Sequence, residues 1–219
     1  MNKCDFKNTK KLPKLTININ KWIYAELLEV KNTVEQNLKD YRFDEASRNV
    51  YQFVWHSYCD WYVELSKTIL NSKNQKDIKE VRIVSSYIFK QILILMHPFI
   101  PFITEEIWLK NKLDNSKKNF LMLANWPKGK SKKDKNFKEV KKMINIISEI
   151  RSFKNELNVK PGSFIDISVE KINNKSFFKE NDIILKRLGR INNFFTQDQN
   201  KPGATLVISG DLFKLYFDQ

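Results

Sequence analysis

Two cysteines (Cys4 and Cys59), five glycines, six prolines and two histidines are all that these 219 residues contain of those types. Each scarcity excludes something. Two lone thiols with no Cys-x-x-Cys pair leave no disulfide framework and no cysteine-based zinc site, and they point to a reducing, cytoplasmic setting. So little glycine and proline argues against a turn-rich all-β fold and against a disordered chain. No apolar run reaches the roughly 18 residues of a membrane span, because His97 and Pro98 interrupt the longest one, so no membrane association is expected. The Lys- and Asn-rich N-terminus is not followed by the apolar stretch of a secretory signal.

What the chain does have is a hydrophobic share of 42%, an aromatic share of 13% and a formal charge of +14. The first two support a real core in one large or two modest domains. The third suggests a polyanionic partner, most simply nucleic acid. A bland source stands beside it: lysine outnumbers arginine, and Asn and Ile are abundant, as an AT-rich genome's codon bias would give.

Residues 91–108, rich in Ile, Leu and Phe, read as a packing centre. Pro98 cannot continue a helix, while Pro101 suits the first turn of a new one, so the spacing predicts helix, corner at His97, helix. Thr104, Glu105 and Glu106 then fall near the exposed N–H groups of that start. Before this centre, residues 1–19 read as a lead-in. Apolar residues at three- and four-residue spacing predict helices over about 20–41 (Ile23, Leu27, Val30, Val34, Leu38, Tyr41) and 43–70 (Ala46, Val50, Phe53, Val54, Ser57, Trp61, Leu65). Another is expected over about 77–97 (Val81, Val84, Ile88, Ile92, Leu95). Residues 113–135 break the pattern: Phe120 to Leu123 followed by Asn125-Trp126-Pro127 read as an extended segment laid across the bundle, with Lys128 to Lys133 as a solvated loop. A last bundle helix is expected over about 136–157, closed by Pro161-Gly162. The period then changes to two. Residues 163–170 read as a strand, 176–188 as a helix, 190–196 as extended, and 205–209 with 212–217 as a hairpin turning at Gly210-Asp211. The expected fold is mainly α: an antiparallel helical bundle over 20–160 and a small α+β unit over 161–219.

No arrangement of side chains carries chemistry. His56, Cys59 and Asp60 share helical spacing, but no second cluster completes a metal site, and they read as a core crossing point. Gly129-Lys130-Ser131 has the ending of a phosphate loop, yet Ala124 stands where its first glycine belongs. Glu105 and Glu106 are adjacent, about 100° apart on a helix, and cannot flank one bond. His97 is expected to hold the corner by hydrogen bonds. No catalytic residue and no metal site are expected. Arg42, Arg48, Arg151 and Lys154 stand out as candidate phosphate contacts, because an arginine fork matches phosphate and Arg151 and Lys154 lie one turn apart. Interleaved aromatics could stack on unpaired bases.

Several stretches together resemble one family. Tyr41-Arg-Phe-Asp-Glu-Ala, then Phe53-Val-Trp-His-Ser-Tyr-Cys-Asp-Trp-Tyr-Val-Glu-Leu-Ser-Lys67, then His97-Pro-Phe-Ile-Pro-Phe-Ile-Thr-Glu-Glu-Ile-Trp108 resemble the anticodon-binding region of class I valyl-tRNA synthetases. Met122 to Pro127 and Ile150 to Pro161 continue the pattern in order. The Pro-Phe-x-Pro-x-x-x-Glu-Glu-x-Trp signature is shared with isoleucyl and leucyl relatives; the run at Cys59-Asp60-Trp61-Tyr62 points to valine.

The resemblance implies a domain that binds the anticodon stem-loop of tRNA(Val), within a monomeric ligase that uses ATP and Mg to charge that tRNA. It implies the parent chain's catalytic and editing domains as further partners. Neither the HxGH-like motif nor the KMSKS loop of that family's catalytic domain occurs in this sequence, so this chain by itself is expected to be inactive and to hold no cofactor. It reads as a fragment lacking the family's first bundle helix and its coiled-coil arm. Where the family usually has a second arginine after Arg151, Lys154 keeps the charge and loses the planar fork. Other classes remain open: a free-standing RNA-binding module, or a helical scaffold for protein partners.

Overall fold

The computed structural model describes residues 12–113, 120–129, 135–160, 162–171, 175–195, 203–208 and 211–216. By its contacts the chain divides into Met1–Phe137 and Lys138–Gln219, and each unit is taken in turn.

The first unit is built on helices α1 (Asn18–Lys39), α2 (Phe43–Gln52), α3 (Val63–Leu70), α4 (Gln75–Met96) and α5 (Pro101–Lys110). The spacing in α4 reads true: Val81, Val84, Ile88, Ile92 and Leu95 are all buried. Asn74 caps its start, the Oδ1 accepting the N–H groups of Lys76 and Asp77 at 3.1 and 3.4 Å. Leu93 and Ile94 at its far end meet Trp108 of α5, Leu113 and Leu121 in one apolar cluster, so the 91–108 stretch is a packing centre. The corner between α4 and α5 is held by polar groups. His97 Nδ1 lies 2.9 Å from Thr104 Oγ1, which in turn donates to the carbonyls of Ile100 and Pro101. Thr104 has a single hydroxyl hydrogen to share among these contacts, and the tautomer of His97 sets the donor in the one between them. Glu105 does more than the charge role expected of it: its Oε1 accepts Leu121 N–H at 2.8 Å, pinning a short 3-10 turn (Leu121–Leu123) where an extended segment was expected.

The lead-in is anchored at Thr16 and Ile17. Helix α1 has no side-chain cap of its own; Glu80 of α4 supplies one across the fold. Its carboxylate accepts from Thr16 N (3.1 and 3.2 Å), Ile17 N (3.1 Å), Asn20 Nδ2 (2.9 Å) and the Thr16 hydroxyl. Burial pushes this carboxyl up, but the hydrogen bonds from Thr16, Asn20 and Ile17 outweigh it and hold Glu80 below the usual carboxylate range. Asn20 then accepts from Tyr62 Oη at 2.9 Å, and Tyr62 accepts from Ser85 Oγ at 3.3 Å. Four elements are thus tied through one buried polar chain.

Two expectations are overturned here. Tyr41 does not face the core: α1 ends at Lys39, and Tyr41 sits in the left-handed region at φ 58°, 82% exposed. The helix expected over 43–70 is interrupted by a π-helical segment, Phe53–Tyr62, in which Val63 N–H reaches back to Tyr58 O. Trp55, His56, Cys59 and Asp60 lie within this segment and face solvent rather than a core. His56 Nδ1 lies 3.4 Å from Asp60 Oδ2, and burial together with the Asp60 charge raises the Cys59 thiol above its ordinary value. No metal-holding cluster occurs among the described residues.

Helix α6 (Lys135–Glu156) lies almost wholly in the second unit, with α7 (Lys175–Gly189) and strands β1 (Ile165–Lys171), β2 (Ile191–Phe195), β3 (Ala204–Ile208) and β4 (Asp211–Tyr216). The sheet order is β2-β1-β4-β3. β1 and β2 run parallel, with α7 as the crossover; β4 is antiparallel to both β1 and β3. Period two puts Ile165, Ile167 and Val169 inside, and α7 covers that layer through Phe178, whose ring meets Phe194 and Phe213. Asp211 is a strand residue paired with Ile208, not a turn residue as expected; its expected turn partner, Gly210, lies outside the described residues. Lys130 and Ser131 also lie outside them. The mainly helical class with a small α+β unit stands.

Candidate nucleic-acid interface

The four cations singled out by sequence fall into two places, each within one unit. In the first, α2 opens at Arg42, which has no side-chain role at the helix start and is exposed. Arg48 is exposed too, with Nη2 3.2 Å from Glu45 Oε1, a surface pair that holds it only weakly. Around them stand large rings in solvent: Tyr41, Phe43 (56% exposed), Tyr51 (61%) and Trp55 (54%). Tyr41 and Phe43 meet edge to face, whereas Tyr51 and Trp55 lie parallel to within 2° at 6.3 Å. Behind Tyr51 and Trp55 is an apolar hollow of about 350 Å³ that Val50, Met96, Phe99 and Ile100 help to line. Exposed rings beside free-ended arginines can stack on bases and grip phosphates together. On a 3.6-residue period Trp55 falls on the side of the helix away from Ala46, Val50 and Phe53, so its exposure was within reach of the spacing.

In the second place, Arg151 and Lys154 do lie together on α6, in a cleft of about 340 Å³ lined also by Asn155, Leu188, Gly189 and Arg190. Arg151 donates from Nε (3.0 Å) and Nη2 (2.7 Å) to Leu188 O, the end of α7. Lys154 is only 3% exposed, and its Nζ donates to Ser163 O at 2.5 Å. Burial, with Arg190 and Arg151 adding like charge, pushes the Lys154 ammonium below the ordinary lysine range. Arg190 is the residue that sequence reasoning missed. Nothing in its spacing ties it to position 151; the β1-α7-β2 crossover brings it there.

Comparison with known proteins gives one consistent result. Residues 20–169 match the family model described as the anticodon-binding domain of tRNA ligase. Across 220 residues the chain is 66% identical to a valine–tRNA ligase of Pelagibacter ubique (strain HTCC1062), covering all of this chain and 25% of that protein. It is 34% identical to the valine–tRNA ligase of Zymomonas mobilis, over 94% of this chain and 24% of that protein. It is 31% identical to that of Agrobacterium fabrum, over 90% and 21%. The chain thus spans about a quarter of the length of the relatives it matches. No helix among the described residues is long and apolar enough to cross a membrane.

Proposed function

We propose, from the premise that this chain belongs to the anticodon-binding domain family of tRNA ligases, that it is the tRNA-gripping domain of a valine–tRNA ligase. Its task is to hold the anticodon stem-loop of tRNA(Val) so that the acceptor end meets a catalytic domain elsewhere in the ligase. That ligase acts as a monomer in the cytoplasm and joins valine to tRNA with ATP and Mg. This chain's own residues contribute position and charge, not a reaction step. Arg42 and Arg48 take phosphates, with Tyr41, Phe43, Tyr51 and Trp55 offering faces to unpaired bases. Arg151 and Lys154 belong to the second place of contact.

The observation that carries this reading is the cluster of rings and arginines left in solvent around α2, in a chain of net charge +14. Its test is the salt dependence of binding to a tRNA(Val) transcript. One phosphate each at Arg42 and Arg48 and one at the second place imply a log–log slope of roughly −2 at the ~0.7 per contact of single strands. A chain that binds no tRNA at low salt refutes it. The apolar hollow beside Trp55 favours a second reading, a seat for a protein partner; binding to that partner would be almost indifferent to salt.

A further inference from the structure

We propose that the cleft of Arg151, Lys154 and Arg190 seats a single backbone phosphate of the bound RNA, with Arg190 as its principal donor. This rests on the RNA-binding reading above and deepens it.

Three cations line one cleft of about 340 Å³, and none of its described lining residues is acidic. The ordinary explanation is that cations sit there to satisfy helix ends. Arg151 does cap α7 at Leu188 O, and Lys154 lies in the last turn of α6. A helix C-terminus, however, presents only about half a negative charge. Two such ends supply about −1, which does not match the charges of Lys154 and Arg190 alone.

The donors are also not used up. Arg190 gives one contact, Nη1 to Gly162 O at 3.3 Å, and its other N–H groups have no partner among the described residues. Lys154 Nζ has three hydrogens and one described acceptor, Ser163 O. Burying that ammonium against two guanidiniums is unfavourable, as its lowered pKa registers, and an anion in the cleft would relieve it.

The backbone adds a second sign. Arg190 holds φ at 53°, the left-handed region that glycine or asparagine adopts at least cost, yet the glycine is one residue earlier. A Cβ on Gly189 would come within 2.9 Å of Ile191 Cδ1, so a larger residue there would have to push that side chain aside. The turn thus holds an arginine in the left-handed region at a basic cleft, with one nitrogen of its fork on Gly162 O and the others open. Planar forks suit phosphate.

The test is filter binding of the whole chain to a tRNA(Val) transcript between low and physiological salt, comparing the parent with Arg190→Gln and Arg190→Lys. Arg190→Gln should bind several-fold more weakly and lose about 0.7–0.9 from the salt slope, one contact's worth. Arg190→Lys should keep the slope. Thermal melts establish that each variant is folded. A methylphosphonate scan of the RNA against the parent chain gives a measurement free of protein changes: one neutralised phosphate should reproduce the Arg190→Gln loss and have no further effect on that variant. Parent-like affinity and slope in Arg190→Gln, or no such phosphate in the scan, would overturn this proposal and leave the RNA-binding reading intact. A parent chain that binds no RNA overturns both. Thermal stabilisation by millimolar inorganic phosphate without the interference signal overturns it in favour of a free-phosphate site.

Discussion

Replacing Glu80 by Gln isolates the worth of the cap that α4 lends to α1. In the parent, Oε1 accepts Thr16 N, Ile17 N and Asn20 Nδ2, and Oε2 accepts Thr16 N and the Thr16 hydroxyl. Glutamine keeps one oxygen and turns the other position into a donor, so at best three of these bonds persist in neutral form. Hydrogen bonds to a charged group contribute about 1.5–3 kcal/mol against about 0.5–1.5 for neutral ones, a loss of roughly 1 kcal/mol for each. Relief from burying a carboxylate offsets part of the roughly 3 kcal/mol total. The expected net is about 2 kcal/mol, or roughly 4–8 °C in Tm at this chain length.

The pH dependence sharpens the test. Glu80 is held below its ordinary value of 4.5 in the folded protein. Its contribution is therefore complete above the unfolded value and is lost as pH falls through the folded one. The gap between parent and E80Q, measured by thermal melts, should be full at pH 7 and shrink below about pH 4.5. Because Tyr62 Oη donates to the same Asn20, a double-mutant cycle of E80Q with Tyr62→Phe should be non-additive by at least about 0.5 kcal/mol. A melt within 1 °C of the parent, or a gap as large at pH 3 as at pH 7, would refute the account.

Two further outcomes can be checked in the same melts. Thr104→Val keeps the volume of a side chain that is 1% exposed but removes the hydroxyl that serves His97, Ile100 O and Pro101 O; a loss of about 1–2 kcal/mol is expected, with His97→Ala adding little to it. Gly129→Ala should destabilise by about 1–2 kcal/mol, because φ there is 132° and a Cβ would meet Leu28 Cδ2 at 3.1 Å; an unchanged melting temperature would disprove the constraint.

The helical half was legible where one rule decided it. In α4, every apolar residue at three- and four-residue spacing is inside, and the Pro98/Pro101 corner follows from what proline lacks. Legibility failed where a distant partner decides. Glu80 stands among lysines and looks like a surface residue until α1 arrives to be capped by it. Lys154 likewise reads as solvated, yet Ser163 O draws its ammonium into a cleft. Arg42 and Arg48 sit in solvent as their types suggest, whereas Arg190 joins Arg151 only through the crossover of the sheet. The exposure of Trp55 lay within reach of the spacing, which sets it opposite Ala46, whereas the change of winding over 53–62 does not show in that spacing.

That change of winding gives the length of this stretch a consequence of its own. Within Phe53–Tyr62 the backbone is wound loosely, and α3 resumes from whatever angle the loose turns deliver. Dropping one residue at unchanged winding would swing everything beyond it by about 100°, unless the segment tightened into ordinary α pairing to take up the loss. Leu65, which has no exposed surface, would leave the core, and Ser66 would go with it. Adding a residue produces the opposite error of phase. Changes of residue type within 53–62 leave that phase untouched; a change of number does not.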